Sequence, residues 1–484
     1  MLSRSQVING VSSLTVMSML TVMLAACGGT DTAATPTTGA MAGAISTTGT
    51  MAGGTATTGM AGGATMTTGM AGGTATTGGA AMTLPANCSN VQISFWNSFS
   101  GPDGAFMTNI VNKFNTANPN IKVTQNIIQG AQYATKLGTA QAADQLPDVV
   151  QVNEDQIATQ AFNHVTRQMD DIMGQMGLSE KDFPSVAWKT GQVGGHAYGI
   201  PLSFVLMTMY YNDDLLKKAG ITAPPATAED FAKAAAATTS GPNHGFMITT
   251  GFPVQQIFQQ LLHQYGGAEF SADGKTATWN SDAGVKALTW MKDAQTKYSA
   301  PKLAVDADLN AFKAGQTGMI WNGIWQLSSL TGSSVEFAGK ATAPPQIGPN
   351  PATWGGAAYL ALGQHKQAAG QCRDAAAAML IRYISDNSIE WAKGGNIPAN
   401  NKVRASAEFK AMPQGVLASA AENPVFPPAI PGIGDAFTPL GDAVGSIMSG
   451  TSTDIKGALD KAADRSNQVL KQNHDKYGDA PTNP

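Results

Sequence analysis

A chain of 484 residues, 43% of them apolar, is long enough for two or three domains with real cores. Only 13% of its residues are charged, it holds 54 glycines, and its formal net charge is −4 at pH 7. With no basic block, it lacks the electrostatic footprint of a nucleic-acid-binding protein or of a polybasic membrane patch.

Arg4 and the amino group give a positive start, followed by the apolar run LTVMSMLTVMLAA at 14–26. Those 13 residues are too few to cross a bilayer, which takes ~20, and they fit the apolar region of a secretory signal. The run ends in LAAC, with small residues directly before Cys27. It resembles the lipobox of a bacterial lipoprotein. That resemblance implies a signal peptide at 1–26, cleavage before Cys27 and a diacylglycerol on its sulfur. An ordinary signal peptide with an incidental cysteine is the alternative. Two acyl chains hold a protein at a membrane far better than one.

Residues 27–85 follow as a linker. From 28 to about 84 they are nearly all Gly, Ala, Thr and Met, with Thr-Thr pairs at 37, 47, 57, 67 and 76. Such a composition cannot bury enough apolar surface to offset chain entropy. It reads as a disordered tether, with an r.m.s. span of roughly 40 Å for a Gly-rich coil.

The pattern then changes. VQISFW (91–96) reads as a strand. Residues 104–119 carry Phe106, Ile110, Val111 and Phe114 at helical spacing and stop at Asn118-Pro119. IKVTQNII (121–128) alternates as a strand, 132–143 reads as a helix through Tyr133, Leu137 and Ala140, and PDVVQV (147–152) is a short buried strand. Further on, 206–212 and 354–362 read as strands. Thr227 is a good N-cap. Residues 253–267, 280–298 and 372–386 read as helices, 310–327 as helix, turn, strand and helix start, and 433–475 as all-helical. Alternating strands and helices predict an α/β chain of two lobes, each a mostly parallel sheet flanked by helices. Ligands in such folds sit beyond the carboxyl ends of the strands. The loop NSFSGPDG, 97–104, follows the first strand there.

Five stretches in order, ISFWNSFSGPDGAFMTNIVNKFNTANPNIKV, QYATKLGTAQAADQLPDVV, GGHAYGIPLSFVLMTMYYNDDLLKKAGITAPPAT, AFKAGQTGMIWNGIWQL and WGGAAYLAL, resemble the extracellular solute-binding proteins of ABC importers, family 1, the maltose-binding-protein-like type. The resemblance covers about 88 to 475. It implies a periplasmic-binding-protein-like fold that closes at a hinge over its ligand, with crossings near Ser203, Thr353 and Pro413. The lobes would then be 86–203 plus 353–412 and 204–352 plus 413–484. A monomer is expected, with an ABC importer's membrane subunits as partner and the lipid anchor as its only membrane contact. By the same resemblance Tyr133 and Asp155 fall at cleft positions. Trp325 matches a tryptophan that stacks on a sugar ring, Trp354-Gly355-Gly356 a cleft-lining element, and Phe437 an aromatic position. Phe204 and Val205 stand where the type member has a carboxylate. Cys88 and the helix opened by Cys372 fall in one lobe, and an exported compartment permits the disulfide expected between them.

A sugar offers hydroxyls and a C–H face. Carboxylates and amides satisfy the first, indoles cover the second. Asn97, Ser98, Ser100, Asp103, Asn153 and Asp155 with Trp325, Trp354 and Gly355 supply that combination beside Tyr133. Asp103 and Asp155 have a second reading as helix-dipole partners, and Trp321, Tyr210 and Tyr211 read as packing. A phosphate ligand is disfavoured, because SGPDG is no P-loop and these loops carry no Arg or Lys. Scattered histidines and distant cysteines offer no metal spacing, and no cofactor is expected. A carbohydrate-binding, non-catalytic receptor is therefore the expected function. A glycosidase using two cleft carboxylates and a tethered surface adhesin are the alternatives.

Overall fold

The computed structural model describes residues 82–478 apart from 301–303, 305, 367–369, 416, 419–425 and 428. The chain divides into two compact units, Met1–Ala75 and Thr76–Pro484. Every described residue lies in the second. The signal segment, Cys27 and nearly all of the repeat lie outside the described residues.

The first lobe grows from parallel pairing. Strand β1 (Val91–Asn97) alternates buried and outward residues, and Val91, Ile93 and Phe95 face the core. It lies between β2 (Ile121–Ile127) and β3 (Val149–Asn153), parallel to both. Helix α1 (Gly104–Ala117) buries Met107, Ile110, Val111 and Phe114, so its apolar stripe is the one read from the sequence, with Met107 deeper than Phe106. Helices α2 (Gly130–Ala142) and α3 (Ile157–Phe162) follow β2 and β3.

The longest strand, β4 (Ile200–Asn212), joins the two lobes. The sequence pattern predicts a strand only over 206–212, and the structure extends it back to Ile200 because both of its halves are paired. Its first half pairs antiparallel with β8 (Gly355–Leu362) and β9 (Ile397–Pro398). Its second half pairs with β6 (Thr317–Gly323) and β7 (Gly339–Thr342). With β5 (His244–Met247) parallel to β6, the sheet runs β2-β1-β3-β8-β4-β6-β5. It is parallel towards both ends and antiparallel through the middle, where crossing strands reverse direction.

Two main cores flank that middle. Phe204 and Leu206 belong to the first and Met207 and Met209 to the second, so one strand feeds both. Ser203, the boundary expected from the sequence, lies in the same strand. Leu417, Ala418 and Phe426 still pack on the first core beyond the expected boundary at Pro413, and Ile430 packs on the second. The second core holds an aromatic cluster in which Trp290 and Trp321 stack at 5.4 Å. Trp321 is therefore packing, as its place in a strand suggests. Helices α4 (Val254–Gln264), α5 (Asp282–Tyr298), α7 (Thr438–Ser449) and α8 (Ile455–Tyr477) cover this lobe. The C-terminal stretch read as all-helical is broken at Gly450, whose φ of 78° ends α7. Helix α6 (Gln371–Asp386) packs on the first lobe, where Cys372 and Cys88 form a disulfide with Cα atoms 5.6 Å apart. Among the described residues no helix is long and apolar enough to cross a membrane.

Candidate functional site

A cavity of about 860 Å³ opens where β1 and β3 end, β8 starts and the second lobe begins. One wall is the loop after β1. Gly104 lets that loop turn tightly into α1, because a Cβ there would lie 2.1 Å from the Phe99 carbonyl oxygen. Ser98 donates its hydroxyl to Gln151 Oε1 at 2.8 Å, and Gln151 Nε2 donates to Asn153 Oδ1 at 2.7 Å, so the loops after β1 and β3 are fastened together. Asp103 stands at the N-cap position of α1 without capping it. Its carboxylate accepts instead from Asn396 Nδ2 at 3.0 Å.

The opposite wall comes from the second lobe. Helix α4 turns Gln255, Gln256, Gln259 and His263 towards the cavity, spacings that fall on one helix face. His263 Nε2 meets the Glu269 carboxylate at 2.8 Å. Trp325 follows β6, and Phe252 stacks on it at 5.3 Å with planes 27° apart. The indole lies over Gly323, where a Cβ would come within 2.0 Å of it.

The floor is the start of β8. Trp354 N donates to Gln260 Oε1 at 3.2 Å, and its carbonyl accepts from Met207 N at 3.0 Å. Glu154 exchanges bonds with Ala357: its backbone N donates to the Ala357 carbonyl at 3.1 Å, and its carboxylate accepts from Ala357 N at 2.8 Å. Gly356 makes room for that carboxylate, since a Cβ there would sit 3.0 Å from Glu154 Oε1.

Of these carboxyl groups Asp103 is buried, and Glu154 and Asp155 are half-buried. Burial raises Asp103 to about 6 against the pull of the Asn396 hydrogen bond. Burial, then the charge of Asp155, raises Glu154, and burial raises Asp155 although the Gln156 side chain bonds to it. Burial opposes protonation of His263, but the Glu269 hydrogen bond and charge hold its pKa above the usual value. No Lys or Arg lines the cavity among the described residues. No cluster of three or more His, Cys, Asp or Glu able to hold a metal occurs among them either.

Of the residues singled out from the sequence, Ser98, Ser100, Asp103, Asn153, Asp155, Trp325, Trp354 and Gly355 line this one cavity, as does Phe437. Asn97 and Tyr133 do not. Asn97 is buried and accepts from Phe99 N at 3.1 Å. Tyr133 is buried beneath the wall, with its hydroxyl 2.9 Å from the carbonyls of both Trp96 and Gln151. Both hold the loops rather than face the space, because the alternation of β1 and the inward stripe of α2 turn them to the core. The sequence reading passed over Glu154, Phe252, Gln255, Gln256, Gln259, His263, Glu269 and Asn396. The glutamines were legible as the polar face of QQIFQQLLHQ; Asn396 was not, since it meets Asp103 from a distant segment.

The family described as bacterial extracellular solute-binding protein matches residues 109–417. A sn-glycerol-3-phosphate-binding periplasmic protein of Salmonella typhimurium is 30% identical over 149 residues, 29% of this chain and 34% of that protein. The chain thus spans about a third of the length of the curated relatives it matches. An ABC substrate-binding protein of Listeria monocytogenes, solved with cycloalternan, superposes with a TM-score of 0.68 at 23% identity, over 79% of this chain and 99% of that one. A Mycobacterium tuberculosis protein solved with glycerophosphocholine gives 0.68 at 20% identity, over 79% and 98%. The likeness to solved structures establishes the two-lobed fold of such binding proteins, and the extent of the family match decides the assignment: this chain belongs to the bacterial extracellular solute-binding proteins.

Proposed function

We propose that the chain is an extracytoplasmic receptor that binds a carbohydrate between its lobes and hands it to an ABC importer. The observation that carries this is the composition of the cavity wall. Amides of Gln255, Gln256, Gln259, Asn153 and Asn396 and carboxyls of Asp103 and Asp155 face the same space as the rings of Trp325, Phe252 and Trp354. Hydroxyls need the former and sugar C–H faces the latter. Family members bind solutes without transforming them, so no turnover is expected. The lobes would be the segments named from the sequence with the third crossing moved past Phe426, and with β4 and the start of β8 as the other two crossings. Lipid attachment at Cys27 and a monomeric state complete the reading.

Relatives by sequence bear the name of a glycerol phosphate. A phosphate in this cleft would face Asp103, Glu154, Asp155 and Glu269, with the Glu269-paired His263 the only basic side chain lining it among the described residues. That arrangement repels a dianion. Calorimetry against mono- and oligosaccharides and sn-glycerol 3-phosphate tests the proposal. Stoichiometric binding of a sugar, recovered unaltered, supports it. Release of smaller sugars would establish a glycosidase, and tight binding of the phosphate alone would refute the carbohydrate reading.

A further inference from the structure

The polar face of α4 is not a set of independent side chains. Gln255, Gln259 and His263 stand four residues apart, one above the other on the helix. Glu269 reaches them from outside it. Gly266 and Gly267 follow α4, the first with a φ of 82°, and the chain folds back so closely that a Cβ on Gly267 would lie 2.4 Å from Leu262 Cδ1. Phe270 anchors the returning segment, its ring 5.4 Å from that of Trp279 and 5.0 Å from that of Phe437. The Glu269 carboxylate is thereby brought against two rungs of the helix. His263 Nε2 lies 2.8 Å from it, and Gln259 Nε2 donates to Oε1 at 3.3 Å. One turn earlier, Gln255 Nε2 donates to Gln259 Oε1 at 3.4 Å.

The sense of this ladder follows from chemistry. An ionised carboxylate only accepts, whereas an amide donates from nitrogen and accepts at oxygen. Glu269 therefore draws the Gln259 nitrogen towards itself and turns its oxygen towards Gln255, which answers with its own nitrogen. A flipped Gln259 would set oxygen against oxygen at one rung and nitrogen against nitrogen at the other, with neither bond made. Gln255 Oε1 is left at the far end, where the absent Cβ of Gly441 on α7 gives it room: that atom would lie 2.7 Å away. Each of the two amide nitrogens has one hydrogen engaged in the ladder, and the other has no partner among the described residues.

We propose that Glu269 is a positioning residue for the sugar: through Gln259 it holds the α4 amides with their nitrogens towards the C-terminal end of the helix, and the second hydrogen of each is what this wall gives to a sugar oxygen. This rests on the carbohydrate reading above and adds to it a residue that acts through another. The opposite wall, with the carboxyls of Asp103 and Asp155, receives hydroxyl hydrogens. A hydroxyl both donates and accepts, so it bonds across the cleft in one sense only, giving to the first lobe and taking from the second.

The test uses the full chain and calorimetry with glucose, galactose, maltose, cellobiose and lactose, following whichever binds most tightly. Glu269→Gln, which can offer either end of an amide to Gln259, leaves the ladder without a fixed sense and is expected to weaken that binding at least ~5-fold. In a Gln259→Ala background the same change is expected to alter affinity by less than ~2-fold, because the path from Glu269 to the sugar is gone. Should Glu269→Gln not fold, Glu269→Asp takes its place: it keeps a charge for His263 but draws back from Gln259, and the same loss with the same dependence on Gln259 is expected. NMR of the side-chain amides in the empty protein gives a second reading. Changing Glu269 should move the Gln255 amide signals although Gln259 stands between them, and should not move them once Gln259 is alanine. A loss as large without Gln259 as with it, wild-type affinity in the folded variant, or unmoved Gln255 signals would overturn this inference and leave the carbohydrate reading standing. If none of the sugars binds, both fall.

Discussion

Trp325 shows what a single side chain can be asked to do in this cleft. Phe252 stacks on it and is itself 65% exposed, the larger exposure of the two large apolar side chains left open to solvent among the described residues. An aromatic pair held at a cavity lip has its remaining surface to offer to a ligand. Trp325→Ala is expected to weaken carbohydrate binding by at least ~10-fold, about 1.4 kcal/mol, with little change in the melting temperature of the empty protein. Gly323→Ala separates position from presence: its methyl would lie 2.0 Å from the indole, so the ring must move although every ligand-facing side chain remains. Calorimetry that finds wild-type affinity in Gly323→Ala would show that the ring's place is immaterial. Asp103 adds a pH dependence whose sign can be worked out. Burial lifts its pKa from 3.8 to about 6, so between those values the folded chain keeps a proton that the unfolded chain has lost. Its contribution is full below 3.8 and is lost as pH rises through about 6. Asp103→Asn should therefore gain stability relative to wild type on going from pH 4 to pH 7, by on the order of 2 kcal/mol. Urea denaturation at both pH values measures it, and an equal difference at the two would count against the assignment. At this scale the sequence was a good guide where function follows position. Side chains at or just past a strand's carboxyl end, Ser98, Ser100, Asn153 and Asp155, do line the cavity. It was a poor guide where inward and outward alternate within one residue, as at Asn97.

Elements explain why those loops stay where a ligand needs them. Tyr133 sits on the inward stripe of α2, and its hydroxyl reaches two carbonyls at the ends of the neighbouring parallel strands β1 and β3. Both carbonyls lie just before a ligand-facing loop. Tyr133→Phe keeps the ring and its packing but leaves the two oxygens without that donor. The expected cost is about 1–2 kcal/mol in urea unfolding, accompanied by weaker carbohydrate binding because both loops loosen together. A variant of wild-type stability would show that water replaces the hydroxyl. Much at this scale was readable in advance. The β-α-β-α-β order, the stripe of α1 and the helix 254–264 within 253–267 all follow from periodicity that packing obeys. The length of β4 was not, because Pro201 and Ser203 break the apolar pattern. Only pairing on both sides, with β8 at one end and β6 at the other, keeps those residues in a strand. The polar face of α4 was visible as a pattern, yet amphipathicity alone cannot say whether such a face meets solvent or a cleft.

For the whole molecule, the question is how binding in the cleft becomes a shape that a partner can read. The two cores share β4 and the start of β8, and they touch again where Ile324, just past β6, inserts into the first core. There the backbone of Gly395 lies so close that a Cβ would be 2.4 Å from the Ile324 carbonyl oxygen and 2.8 Å from the Leu327 Cβ. Its φ of 110° is one that other residues rarely adopt. This contact joins segments of opposite lobes, next in the chain to Asn396 on one side and Trp325 on the other, so a methyl group there acts on their spacing. A ligand touching both walls stabilises the arrangement in which they are closest, by as much as it binds that arrangement better. Gly395→Ala removes none of the ligand's partners, but it strains the backbone beside Asn396 and obstructs the approach. Wild-type protein is expected to become more compact in solution scattering when its sugar is added. Gly395→Ala should show a smaller contraction and an affinity reduced by at least ~5-fold, a coupling of about 1 kcal/mol. If the variant contracts fully and binds as wild type does, the Ile324–Gly395 contact is packing alone, and the lobes take their spacing from the crossing strands.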